Sequence, residues 1–154
     1  MHRDLTPRDV VLDLNLNIKI CDFGNAFFMG RFSWKKTGGS PRYMAPEMFD
    51  NKLEMTEKVD VWAMGCIFCE IFGGSIPYEG INSLVDLAQE LLVIKRTPSI
   101  PADIPLLCKE IIRSCWNFDR GLRPGSKQIF EHLKAVKEQF EDQGLLERSS
   151  SRPL

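Results

Sequence analysis

Asp4 and Asp22 are the two residues of this chain best suited to chemistry, and a stretch built to bring chain ends together separates them. Residues 10 to 21, Val-Val-Leu-Asp-Leu-Asn-Leu-Asn-Ile-Lys-Ile-Cys, give two short β-rich runs around an Asn-containing turn, which predicts a hairpin. A hairpin presents the residues at its two ends side by side, so the two carboxylates are expected to converge. One carboxylate that orients a hydroxyl and accepts its proton, and another that holds a metal ion, meet the main needs of phosphoryl transfer. That reaction asks little covalent chemistry of a protein and much positioning and charge neutralisation.

The elements that must hold these residues are mostly helical. From Asn25 to Ser40 the chain is rich in Gly, Ser, Lys and aromatics with no period, which predicts a long loop of the kind that is usually functional. From Thr56 the pattern turns helical, with Val59, Trp62, Cys66 and Cys69 at spacings of three and four and apolar residues on most other faces until Gly73-Gly74. Apolar nearly all round, that helix reads as buried and central. Three more are predicted: Asn82 or Ser83 to about Lys95, with Asp86 set for a capping-box-like start; Ala102 or Asp103 to Trp116; and Ser126 to about Gln143, with Ile129, Leu133, Val136 and Phe140 facing inward. Residues 144–154 read as a disordered tail, and there is no internal repeat.

Composition narrows the partners. The 154 residues are 44% hydrophobic, enough for one domain with a sizeable core. With 20 Lys and Arg against 21 Asp and Glu, the chain lacks a footprint for nucleic acid or an anionic membrane. Neither a signal peptide nor a spanning segment is legible. Five cysteines at irregular spacings argue for a reducing, cytoplasmic setting over a disulfide framework. Cys66 and Cys69 form a CxxC inside an apolar run and read as core, not as a zinc or redox pair.

The order of His2-Arg3-Asp4-Leu5, Asp22-Phe23-Gly24 and Gly39-Ser-Pro-Arg-Tyr-Met-Ala-Pro-Glu47 resembles the C-terminal half of a protein kinase. Asp60-Val-Trp62-Ala-Met-Gly65, Cys115-Trp116 and Arg123-Pro124 extend the likeness over roughly residues 1 to 140. It implies a mainly α fold with a small β-hairpin, the C-terminal lobe of the kinase-like α+β fold, as a partial domain over 1–143. By the same resemblance Asp4 is the catalytic base, Asp22 holds Mg²⁺, and Cys21 is the one thiol near the nucleotide pocket, read as a buried apolar residue. The hydroxyl of Ser40 is expected opposite Asp4. Asp60 is expected to accept hydrogen bonds from the backbone near His2 and Arg3, and Glu47 and Arg123 to form a partly buried ion pair. Ser33 and Thr37 become candidate phosphosites, with Arg3 the residue type that pairs with loop phosphate.

The segment Gly39-Ser40-Pro41-Arg42-Tyr43 lacks the tyrosine-kinase pattern, while Arg96-Thr-Pro-Ser-Ile-Pro101 and Cys115-Trp116-Asn-Phe-Asp119 look like the tyrosine-kinase-like group of serine/threonine kinases. Two positions depart from the family. Thr6 stands where serine/threonine kinases carry Lys, so no cation faces the transferring phosphate, and Asp9 stands where the family has Asn, which keeps an oxygen ligand for Mg²⁺. Acting on different steps, the two predict a protein that binds Mg-ATP yet transfers phosphate slowly, and that Thr6→Lys speeds. No Gly-rich loop, strand Lys or partner Glu helix is legible, so the N-terminal lobe that cradles ATP is expected upstream. The expectation is an ATP-dependent serine/threonine kinase with a protein substrate, present as a fragment inactive by itself; the alternative is a pseudokinase or half-domain acting as a protein-interaction module.

Overall fold

The structure, a computed structural model, describes residues 1–27, 40–50 and 52–144. The hairpin forms as expected: β1 (Val10–Leu12) pairs antiparallel with β2 (Ile18–Ile20) in the register Val10↔Ile20 and Leu12↔Ile18. Its turn is organised by Asp13, whose carboxylate accepts the main-chain N–H groups of Asn15 and Asn17, both at 2.9 Å. Those bonds, with one from the Asn17 side chain, hold the Asp13 carboxyl below the ordinary carboxylate range. The left-handed position falls on Leu16 at φ 63° and not on an asparagine, a conformation unfavourable for a leucine. The hairpin also stands clear of the core, with Leu14 104%, Leu16 76% and Ile18 68% exposed.

Behind it lies α1 (Lys58–Gly73), which buries Val59, Val61, Trp62, Ala63, Gly65, Cys66, Ile67 and Cys69. Residues at so many angles leave the first half of this helix without a wet face, as its all-round apolar pattern predicts. The helix stops at Gly74, whose φ of 70° is the left-handed cap that glycine adopts without strain. Gly65 answers a different need: a Cβ there would lie 2.7 Å from Cys115 Cβ and 2.8 Å from Trp116 Nε1, so its absence lets α1 close on the next layer.

That layer is α3 (Leu106–Cys115), followed by α4 (Ser126–Asp142), while α2 (Leu84–Gln89) runs on into a π-helical turn over Glu90–Ile94. Ser83 caps α2 by accepting the Asp86 N–H at 3.3 Å. The third helix begins later than its pattern predicts. Pro105 disfavours the helical conformation at Ile104, so residues 102–104 form a turn and Pro105 becomes the N-cap. On α4, Ile129 is buried and Leu133, Val136 and Phe140 pack half-buried against the core.

Cys66 and Cys69 are core residues, with burial pushing both thiols up in pKa. Among the described residues, no helix is long and apolar enough to cross a membrane. Most of the loop predicted over 25–40, including Ser33 and Thr37, and all of the tail but Gly144 lie outside the described residues.

Candidate active site

The segment carrying Asp4 is fastened to the core at its start. Asp60, in the first turn of α1, accepts the His2 N–H on Oδ2 at 2.7 Å and the Arg3 N–H on Oδ1 at 2.8 Å. Both carboxylate oxygens are therefore used on consecutive amides, and Arg3 is held left-handed at φ 75°. Leu5 is buried against Ala63 and Ile67 of the same helix. Asp4 thus sits between two anchored residues, itself half-buried.

Each oxygen of Asp4 has a donor. Ser40 gives its main-chain N–H to Oδ1 at 2.7 Å, and Asn25 gives its side-chain amide to Oδ2 at 3.2 Å. Ser40 therefore reaches Asp4 through its main chain, a contact that any residue except proline could make. Asn25 carries no expectation from the sequence, although its place directly after Asp22-Phe23-Gly24 was a signal available to find it.

The hairpin brings its two flanks together. Cys21 donates its N–H to the Asp9 carbonyl at 2.9 Å, extending the ladder by one step beyond the Val10–Ile20 pair. Asp9 precedes β1 and Asp22 follows β2, so their main chains meet at the hairpin base. His2 ties in the same corner: its Nε2 lies 2.9 Å from the Cys21 carbonyl oxygen, and its ring centroid is 5.2 Å from that of Phe23. Cys21 itself is half-buried, not buried as expected. Asp22 is exposed and left-handed at φ 58°, with Oδ1 accepting the Gly24 N–H at 3.3 Å.

Thr6 and Asp9, the two departures from the kinase pattern, are bonded to each other. Asp9 Oδ2 accepts both the Thr6 N–H and the Thr6 hydroxyl, each at 2.8 Å, while Thr6 Oγ1 accepts the Arg8 N–H at 3.2 Å. These bonds close the 3-10 turn Pro7–Asp9. Thr6 and Asp9 are 7% and 8% exposed, so the bonds form away from competing water.

A cavity of about 430 Å³ opens beside this loop, lined among others by Thr6, Arg8, Ser40, Arg42, Tyr43 and Glu70. Tyr43 donates its hydroxyl to Glu70 Oε2 at 2.7 Å, and burial followed by that bond drives the phenol well above its ordinary pKa. Arg42 donates to the carbonyls of Pro77 and Tyr78 and to Asn82 Oδ1, so its guanidinium is spent on holding the cavity wall. Glu70 stands out as an acid in the second half of an otherwise apolar helix, a signal that could have pointed to this wall.

Further from the cavity, Arg123 meets Glu47 with two bonds of 2.6 and 2.8 Å. At 2% and 3% exposed, the pair is fully buried, more so than expected. Its environment explains why that is tolerable: the guanidinium also donates to the carbonyls of Asn117 and Lys58 and lies 5.0 Å from the Trp62 ring. Arg3 is buried, and its expected partners, Ser33 and Thr37, lie outside the described residues.

Residues 1–133 match the protein kinase domain family. The dual specificity protein kinase pyk3 of Dictyostelium discoideum is 36% identical over 140 residues, covering 91% of this chain and 10% of that protein. The dual specificity protein kinase shkA of the same organism is 31% identical, with 88% of this chain and 27% of that protein covered. Mitogen-activated protein kinase kinase kinase 3 of Arabidopsis thaliana is 32% identical over 86% of this chain and 22% of that protein. The chain thus spans between about a tenth and a quarter of the length of these curated relatives.

Proposed function

The chain belongs to the protein kinase domain family, and from that premise we propose that it is the catalytic-loop lobe of an ATP-dependent serine/threonine kinase of the tyrosine-kinase-like group. The observation that carries the proposal is the setting of Asp4: anchored through its neighbours to Asp60, held by Ser40 and Asn25, and close to a cavity large enough for a peptide segment.

In this reading a serine or threonine of the protein substrate enters beside Asp4. The carboxylate orients the hydroxyl and takes its proton as the oxygen attacks the γ-phosphorus, while the bond to the ADP oxygen breaks. A carboxylate offers about four lone-pair positions, and two donors leave Asp4 room for the hydroxyl. The metal ion fits the donors available. Asp9 Oδ1 and Asp22 Oδ2 accept no hydrogen bond from the described residues, and both are hard oxygens of the kind Mg²⁺ takes alongside phosphate and water. Bound there with ATP, Mg²⁺ supplies neutralisation of the phosphate charge.

The exposed apolar hairpin supports a further part of the proposal. Leu12, Leu14, Leu16 and Ile18 of the hairpin, and Phe23 after it at 62% exposure, are all uncovered, apolar surface suited to cover by the ATP-cradling lobe of the same protein. By this account the 154 residues are inactive without that lobe. Five free thiols accord with a cytoplasmic enzyme. A second reading, the pseudokinase, rests on Thr6, whose side chain is bonded into its own turn and offers no charge to a phosphate.

The test is transfer of labelled γ-phosphate to a protein substrate by the full-length protein with Mg-ATP. Transfer that Asp4→Asn abolishes, with nucleotide affinity retained, supports the kinase. Nucleotide binding without transfer in the parent favours the pseudokinase.

A further inference from the structure

We propose that Thr6 is a positioning residue for Asp9, and that the pair forms one clamp deciding which carboxylate oxygen is presented to a divalent cation. The inference rests on the functional reading above and adds to it a job for the residue that replaces the family's lysine.

The geometry is one-sided. Both donors of Thr6, the main-chain N–H and the hydroxyl, land on Oδ2 of Asp9, and Oδ1 accepts none from the described residues. An aspartate otherwise turns its two oxygens about a broad terminal torsion. Two bonds to one oxygen fix that torsion, and the Arg8 N–H fixes the hydroxyl in turn by donating to it. The Asp9 main chain is held by the Cys21 N–H on its carbonyl and by its own N–H on the Thr6 carbonyl, a bond open to any residue at position 6, so what the Thr6 side chain adds is orientation of the carboxylate.

The clamp also dictates what can stand at position 9. An atom facing two donors must be an acceptor. Asparagine would satisfy them with its one oxygen and turn its amide nitrogen, a donor only, to the side where Asp9 presents Oδ1. A cation cannot bind a donor. The main-chain N–H is a donor whatever residue stands at position 6, so the hydroxyl is what Thr6 adds: with it, a carboxylate at 9 meets both donors on one oxygen and keeps the other for a cation, and the two departures from the family pattern act as one coupled pair.

A simpler role is the reciprocal cap of the turn Pro7–Asp9, which would affect folding alone. The two roles separate in a titration of Mn²⁺, followed by electron paramagnetic resonance, into the full-length protein holding a non-hydrolysable ATP analogue. Thr6→Val removes the hydroxyl but keeps the shape and the main-chain bond; it is expected to weaken Mn²⁺ about tenfold, the usual effect of losing an outer-shell partner. Thr6→Ser keeps the hydroxyl and should bind as the parent does. Asp9→Asn should weaken Mn²⁺ at least as much as Thr6→Val, and adding Thr6→Val to it should have little further effect.

Parental affinity in Thr6→Val, or additive losses in the double variant, overturns the clamp and leaves the kinase reading standing. No Mn²⁺ bound by the parent overturns both. Should Thr6→Val fail to fold, the comparison of Thr6→Ser and Asp9→Asn with the parent decides alone: loss of affinity in the serine variant, or its retention in the asparagine variant, is fatal to the clamp.

Discussion

Arg123 and Glu47 meet through two hydrogen bonds in the interior, and the same guanidinium reaches the carbonyls of Lys58 and Asn117. One side chain therefore joins the turn at 46–48, the start of α1 and the segment after α3. Removing either member leaves the other charged without its counterion. Glu47→Ala or Arg123→Ala should each lower stability by about 3 to 5 kcal/mol, read from denaturant unfolding of the intact protein. A loss under about 1 kcal/mol, the value of an exposed pair, would show that water reaches the site.

The bond between Thr6 and Asp9 changes what a lysine at position 6 should do. Taken from the pattern alone, Thr6→Lys restores a missing cation and speeds transfer. In the fold it deletes the hydroxyl that Asp9 accepts. The single change is expected to weaken cation binding without raising the rate, and Thr6→Lys with Asp9→Asn, which restores the family's pair, to raise it. Steady-state kinetics across the four proteins with Mg²⁺ varied checks this. A faster single variant with parental Mg²⁺ dependence refutes it.

Alkaline pH should unfold the protein early. Burial raises the thiols of Cys66, Cys69, Cys108 and Cys115, that of Cys115 to about 11. In the unfolded chain thiols ionise near pH 8.5. A pKa raised by folding gives stability that is complete below the unfolded value and lost as pH climbs toward the folded one. Stability is expected to be level up to about pH 8 and to fall steadily above about pH 8.5, with Tyr43 and Tyr78 joining above about pH 10. Denaturant midpoints from pH 7 to 10.5 measure it. Cys66→Ala should flatten part of the slope.

Gly65→Ala should be among the more damaging single-methyl additions. Its new carbon would press on Cys115 Cβ at 2.7 Å and Trp116 Nε1 at 2.8 Å, both fixed in the core. Overpacking of that kind typically costs about 1 to 3 kcal/mol. A thermal melt unchanged from the parent would mean that α1 and α3 part more easily than their packing suggests.

What the sequence made legible were features with a local signature. The hairpin followed from two β-rich runs around an Asn-containing turn, α1 from its apolar run and glycine stop, and the contacts of Asp60 and of Glu47 with Arg123 from motif resemblance. What stayed hidden depended on one residue overriding a pattern or on side chains meeting in three dimensions. Pro105 overrode the helical period at Ala102 and Asp103, and a π turn closed α2 without a spacing to announce it. The Thr6 and Asp9 pair was readable only as two separate substitutions. That they are joined by a hydrogen bond is a matter of a 3-10 turn and a torsion angle.

Asp60 gives the loop around Asp4 the clock of the core. The amides of His2 and Arg3 are bonded to a residue in the first turn of a buried helix, so their exchange with solvent deuterium should await the opening of α1 itself. The Gly24 amide, bonded to an exposed Asp22, has no such protection and should exchange fast. One carboxylate of the site should thus be tied to a slowly opening element and another to a quickly opening one, which would leave the hairpin flank, and not the loop around Asp4, as the side that adapts.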